Sequence, residues 1–137
     1  MRIKRIDHLG IAVADLAAAK RLYEDVLGLK LTHEEVVQDQ GVRTLFYPIG
    51  EVKLELLESI TPDGAIAKYL EKRGPGIQHL AIEVEDIDEA IAELKSKGVK
   101  MIDEHPRRGV ENTRIAFVHP KDTHGVLLEL VELPRRM

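Results

Sequence analysis

Four residues of metal-ligand type recur at matching points of an internal repeat. Ile6–Val13 and Ile77–Val84 are two versions of one pattern, and each contains one histidine. Val52–Glu58 and Val126–Glu132 are two versions of another, and each contains a glutamate among apolar neighbours. Neither half of the chain holds a full ligand set, so the repeat predicts one metal site at the junction of the halves. The predicted ligands are His8, Glu55, His79 and Glu129.

Two imidazoles and two carboxylates leave open positions on a six-coordinate divalent ion for water or substrate oxygens. The chain has no cysteine, which excludes thiolate ligands and nucleophilic thiols. The set therefore suits Co²⁺, Mn²⁺, Ni²⁺, Fe²⁺ or Zn²⁺ without choosing among them. Because we find no Walker loop, nucleophile elbow or dinucleotide fingerprint, the favoured chemistry is proton transfer next to a carbonyl, with a carboxylate as the base.

Each half of the chain has the pattern of a strand, a helix and three further strands. In the first strand Leu9, Ile11 and Val13 alternate with His8, so the histidine lies on the face away from the helix. Glu55 and Glu129 alternate with apolar residues in the same way. All four predicted ligands thus avoid the faces that pack on helices.

Capping residues and glycines set the limits of the predicted helices. Asp15 can cap a helix over Leu16–Leu27 with an apolar stripe, and Asp86 and Glu89 have the spacing of a capping box for a second. A connecting helix is predicted over residues 62–72. Downstream, residues 41–58 and 113–133 are predicted as two hairpins.

Composition excludes several classes of protein. With 137 residues, the chain has the size of one domain. Its net charge of −4 and the presence of only three Tyr and two Phe argue against nucleic-acid binding. The N-terminus alternates apolar and polar residues, which argues against a signal peptide or membrane span and favours a cytoplasmic protein.

The doubled strand-helix-three-strand plan with its His, Glu, His, Glu order resembles the vicinal oxygen chelate superfamily, which includes glyoxalase, bleomycin resistance and dioxygenase proteins. Residues 117–130, with the run His-Pro-Lys-Asp, and residues 69–81 closely resemble the methylmalonyl-CoA epimerase family. The resemblance implies an α+β fold in which two tandem βαβββ modules form a single glyoxalase-like domain over residues 1–137. The modules would span residues 4–60 and 76–134, joined by a helix at 62–73, and a curved mixed sheet would surround the metal site.

The same resemblance implies an activity and a role for individual residues. The activity would be epimerisation of (2R)- and (2S)-methylmalonyl-CoA by metal-assisted proton abstraction at C2 through an enolate. Co²⁺ is the expected ion, with Mn²⁺, Ni²⁺, Zn²⁺ or Mg²⁺ as alternatives, and a homodimer is expected. Glu129 would be the catalytic base as well as a metal ligand. Because coenzyme A carries phosphates, the loop cations Arg107, Arg108 and Lys121 are expected to bind the substrate, and Thr44 is a further expected substrate-binding residue.

One residue departs from the family pattern. Some epimerases place a second catalytic Glu where this chain has Thr44, and a hydroxyl group is a poor base at neutral pH. A bound water, or one of Glu34, Glu35 and His124, would then serve the opposite face of the substrate.

The alternative functions are those of glyoxalase I, an extradiol dioxygenase, and a non-catalytic small-molecule binding protein of the same fold.

Overall fold

Eight strands form one mixed sheet in the computed structural model, which describes residues 1–135. The strands are β1 Ile3–Ala12, β2 His33–Val37, β3 Val42–Ile49, β4 Val52–Ser59, β5 Gly76–Val84, β6 Arg107–Arg108, β7 Arg114–Val118 and β8 Leu128–Glu132. Their order in the sheet is β2-β3-β4-β1-β5-β8-β7-β6. The pairs β1/β4 and β5/β8 are parallel, whereas β2/β3/β4 and β6/β7/β8 are antiparallel. The predicted α+β fold with a doubled βαβββ plan is confirmed.

Three α-helices accompany these strands in the described part of the chain: α1 Leu16–Lys20, α2 Ala65–Arg73 and α3 Ile87–Ser96. None of them is long and apolar enough to cross a membrane. The side chains of Asp15 and Asp86 accept hydrogen bonds from Ala18 N (3.2 Å) and Glu89 N (3.0 Å), so both predicted N-caps are confirmed.

The first helix differs from its prediction in its second half. After Lys20 the chain continues as a π-helical segment over Arg21–Val26, in which Leu27 N donates to Leu22 O at 2.9 Å. A π-helix advances each side chain by a smaller angle than an α-helix does, so an apolar stripe with α-helical spacing does not stay on one face. Leu22, Val26 and Leu27 are accordingly exposed, and the predicted stripe holds only for Leu16, Ala19 and Tyr23.

The described chain packs into two units. The N-terminal unit comprises residues 8–78, and its core lies where α1 packs on one face of β1, β3 and β4. Val13 N donates to Leu57 O at 2.9 Å, which extends the parallel β1/β4 pairing one residue beyond β1. The buried members of this core are Val13, Leu16, Leu45, Tyr47 and Leu56.

The C-terminal unit comprises residues 1–7 and those from 79 onward, and it repeats this arrangement. Its core lies where α3 packs on β5, β7 and β8. The buried members are Val84, Ile87, Ala90, Ile91, Met101, Ala116, Val118 and Leu130. That residues 1–137 form a single domain stays a prediction.

Candidate metal centre

In the N-terminal unit, strand pairing brings one histidine and one glutamate together. Gly10 is the parallel partner of Glu55, and His8 lies two residues before Gly10, so the His8 and Glu55 side chains share one face of the sheet. The opposite face carries Leu54 and Leu56, which pack in the helical core. His8 Nε2 lies 3.2 Å from Glu55 Oε1, and the two residues are only 5% and 3% exposed.

The C-terminal unit contains the same pair. Ala81 is the parallel partner of Glu129, which puts the His79 and Glu129 side chains on one face, away from α3. His79 Nε2 lies 3.0 Å from Glu129 Oε1, and both residues are 5% exposed. Phe117 and the buried Ala81, Ile115 and Val131 form an apolar cluster. The pair therefore lies in a poorly hydrated environment, where electrostatic interactions are stronger than in water.

These contacts fit a divalent metal ion. Ligand atoms bonded at about 2.1 Å and at right angles to each other lie roughly 3.0 Å apart, close to the two His–Glu separations. Each unit thus offers one imidazole nitrogen and one carboxylate oxygen as ligand atoms. The donor set is thus two imidazoles with carboxylates, and coordination by all four predicted ligands stays a prediction.

Each pair also contacts a phenylalanine. The Phe46 ring lies 5.9 Å from the His8 ring, and the Phe117 ring meets the His79 ring edge-on at 5.6 Å. Phe46 is the cross-strand partner of Glu55, as Phe117 is of Glu129. Neither ring was predicted as part of the site. Their signal is present, because Phe46 and Phe117 occupy matching positions of the repeat and are the only phenylalanines in the chain.

A cationic side chain lies over each phenylalanine. Lys53 Nζ is 5.2 Å from the centre of the Phe46 ring, and Arg107 Cζ is 5.7 Å from that of Phe117. Both distances are within the range of cation–π attraction. Arg107 Nε also lies 3.2 Å from Asp103 Oδ1, so its guanidinium group is held from two sides.

The other predicted substrate-binding residues lie in different surroundings. Thr44 is buried, and its hydroxyl group donates to Glu35 O at 3.3 Å. Arg108 is exposed and donates to the Asn112 side chain. Lys121 is exposed in a short 3₁₀ turn, where its backbone N–H donates to His119 Nδ1 at 3.0 Å.

The three alternative bases are also separated by the structure. Glu35 is the cross-strand partner of Thr44 and shares its face, whereas Glu34 pairs with Leu45, a residue of the helical core. His124 has a φ of 55° in the loop before β8. Of these, Glu35 is the one on the same face of the N-terminal unit as His8 and Glu55.

Comparison with known proteins identifies the family of this chain. The sequence profile of the Glyoxalase/Bleomycin resistance protein/Dioxygenase superfamily matches residues 7–117. The chain belongs to this superfamily. Its fold is thus that of a glyoxalase-superfamily member, and the resemblance noted in the sequence is confirmed.

Relatives within the superfamily include proteins named for one reaction. Methylmalonyl-CoA epimerase from Mycobacterium tuberculosis has a structure similar to this chain, with a TM-score of 0.93 and 46% identity over 97% of this chain and 90% of that one. A second epimerase structure, in complex with methylmalonyl-CoA and NH4+, has a TM-score of 0.93 and 42% identity, covering 96% of each chain. The mitochondrial methylmalonyl-CoA epimerase of Homo sapiens is 36% identical over 92% of this chain and 72% of its own length.

Proposed function

We propose that this protein is a methylmalonyl-CoA epimerase, which interconverts the (2R) and (2S) epimers by removing the C2 proton and returning it to the other face. The observation that carries the proposal is the duplicated buried His–Glu contact, at 3.2 Å and 3.0 Å. It occurs in a chain that is similar along nearly its whole length to solved epimerases. The superfamily hosts several reactions, so the fold alone would not support this choice.

The proposal includes one divalent metal ion, held by His8, Glu55, His79 and Glu129. Co²⁺ is the expected ion, with Mn²⁺, Ni²⁺, Zn²⁺ or Mg²⁺ as alternatives. When bound, the ion acts as a Lewis acid that stabilises negative charge on the thioester oxygen. The two glutamates balance its charge, so the net charge of the loaded set is zero before substrate arrives.

Glu129 is the proposed base. A thioester and a carboxylate both flank C2 of the substrate, and the proton on such a carbon is acidic enough for a positioned carboxylate to remove it. Burial of the Glu129 side chain excludes competing water from this carboxylate. Phe117, which is the cross-strand partner of Glu129 and contacts His79, provides an apolar wall on the same face.

Three cations are proposed to bind the substrate at two ends. Arg107, held over Phe117, lies beside the ring that contacts His79 and is suited to the negative charge of the acyl group. Arg108 and Lys121 are exposed and are suited to the phosphates of coenzyme A. Thr44 is proposed to line the acyl site without transferring a proton.

The metal-loaded protein should be incubated in D₂O with each epimer of methylmalonyl-CoA, and separately with the glutathione hemithioacetal of methylglyoxal. We expect deuterium at C2 together with formation of the other epimer, and no isomerisation of the hemithioacetal. A His79→Ala variant should be inactive, and His105→Ala, at an exposed position, should match the wild type. Turnover of the hemithioacetal without exchange at C2 would instead identify a glyoxalase I.

A further inference from the structure

A second histidine–carboxylate pair lies on the ligand face of the N-terminal unit. His33 Nε2 is 2.8 Å from Glu35 Oε1 on β2. The cross-strand partners of these two residues are Phe46 and Thr44, and Phe46 is itself the partner of Glu55. Directly opposed residues of antiparallel strands point to the same face. His33 and Glu35 therefore project on the same side of the sheet as Glu55.

Ring packing connects this pair to a proposed metal ligand. The His33 ring stacks on the Phe46 ring at 6.0 Å with an interplanar angle of 25°, and the other neighbour of Phe46 is His8, at 5.9 Å. One aromatic ring thus separates His33 from His8. The His33 and Glu35 side chains are each 31% exposed, so solvent can reach them.

Epimerisation requires proton transfer on both faces of C2. Loss of the proton leaves a planar carbon, and a carboxylate on one side of that plane returns the proton only to the side from which it came. Inversion therefore needs a proton donor on the other side. The Thr44 hydroxyl group does not meet this need, because it is a poor acid at neutral pH and already donates to the Glu35 carbonyl oxygen.

We propose that Glu35 is the second proton-transfer residue, a proposal that rests on the epimerase function above. In one direction Glu129 takes the C2 proton, and the C–H electron pair enters the enolate of the substrate. Protonated Glu35 then gives its proton to C2, and a new C–H bond forms on the other face. His33 is a positioning residue that holds the Glu35 carboxyl group at 2.8 Å and relays protons between it and solvent through its partly exposed ring. The reverse direction exchanges the roles of the two glutamates.

The test follows deuterium and configuration separately, starting from each pure epimer in D₂O. The variant is Glu35→Gln, and the matched control is Glu34→Gln, which makes the same change one residue earlier, on the other face of β2. Glu35→Gln should slow formation of the opposite epimer by about 10² to 10⁴, the usual contribution of a positioned acid or base. The epimer whose proton faces Glu129 should still exchange for deuterium with retention, whereas the other epimer should lose exchange as well. Glu34→Gln should match the wild type.

Further variants separate catalysis from folding. Glu35→Asp keeps a carboxyl group and should recover part of the inversion, and His33→Gln should slow inversion while leaving retentive exchange in place. Formation of the opposite epimer at equal rates by the Glu35→Gln and Glu34→Gln proteins would overturn the proposal. So would an equal loss of exchange from both epimers in a Glu35→Gln protein with full metal content and an unchanged Tm. Absence of exchange in the wild type would instead refute the proposed function.

Discussion

Glu129 has two roles in this account, as a metal ligand and as a base, and one substitution separates them. Glu129→Gln keeps an oxygen that can coordinate but removes the group that accepts a proton. We therefore expect partial retention of metal and a fall in deuterium exchange of about 10² to 10⁴. Exchange and bound metal should be measured on the same samples. Exchange near the wild-type rate in a metal-loaded Glu129→Gln protein would remove Glu129 from the role of base.

The two neighbouring arginines should differ in what they recognise. Arg107 is held by Asp103 and lies over Phe117, whereas Arg108 is exposed and contacts Asn112. Arg107→Ala should weaken kcat/KM by about 10-fold or more for both the CoA ester and a short pantetheine thioester, since a hydrogen bond to a charged group contributes roughly 1.5–3 kcal/mol. Arg108→Ala should raise KM for the CoA ester only. Equal behaviour of the two variants on both substrates would contradict this division.

For single residues, the sequence could predict which side chains belong to the site but not which residues surround them. The alternation around His8 and Glu55 correctly places both on the face opposite the helix. The matching positions of Phe46 and Phe117 in the repeat were a usable signal, but the contacts of each ring could not be predicted, because they depend on which residues face each other across β3/β4 and β7/β8. The same register separates Glu35 from Glu34, which the sequence alone leaves equivalent.

Among the elements, the start of each module helix is tied to the last strand of its module. Glu58 Oε2 accepts from Leu16 N at 2.9 Å, and at the matching points of the repeat Glu132 Oε2 accepts from Ile87 N at 2.8 Å. A carboxylate at a helix N-terminus satisfies an amide that has no partner within the helix and interacts favourably with the helix dipole. The strand that carries Glu55 is thus hydrogen-bonded to the start of α1, and the strand that carries Glu129 to the start of α3.

Loss of either carboxylate should destabilise the fold without abolishing it. Glu58→Ala and Glu132→Ala should each lower the free energy of unfolding of the metal-free protein by about 1 kcal/mol, the usual size of a capping effect. Urea denaturation measures this, and Glu71→Ala, at an exposed position of α2, is the control. A change no larger than that of the control would show that these contacts contribute nothing to stability.

A buried tyrosine forms a hydrogen bond to the π-helical segment. Tyr47 Oη donates to Glu24 Oε2 at 2.7 Å, and burial, followed by this hydrogen bond, raises the pKa of Tyr47 far above its ordinary 10.0. A raised pKa favours the neutral phenol in the folded state, so its contribution is complete below about pH 10 and is lost as pH rises above that value. The unfolding free energy of the wild type should therefore fall more steeply above pH 10 than that of Tyr47→Phe. Parallel curves would contradict this assignment.

The elements themselves were largely predictable from capping residues, glycines and alternation. The N-caps Asp15 and Asp86 follow from their spacing to the apolar stripe, and the hairpins follow from their turns. The prediction of the first helix is wrong after Lys20, where a periodicity of 3.6 residues predicts an α-helix but the chain forms a π-helix. Within this segment Glu24 accepts a hydrogen bond from Tyr47, a tertiary contact that a local sequence pattern does not contain.

For the whole molecule, the repeat was the most informative feature of the sequence. Each unit contains one buried His–Glu pair, so each copy supplies half of the proposed ligand set. Metal should then stabilise the folded chain by mass action, because the unfolded chain does not bring the ligands together. The native metal, a homodimer and a cytoplasmic location stay predictions, since neither the repeat nor the fold specifies them.

The most direct test of the account is titration of the metal-free protein with Co²⁺, monitored by interconversion of the methylmalonyl-CoA epimers. We expect no activity after chelation, full activity at one ion per chain, and a parallel rise in Tm. His8→Ala and His79→Ala, which remove one ligand from each unit, should each abolish the recovery and weaken metal binding. Full epimerase activity in the metal-free protein, or stoichiometric binding and full activity in either variant, would contradict the account.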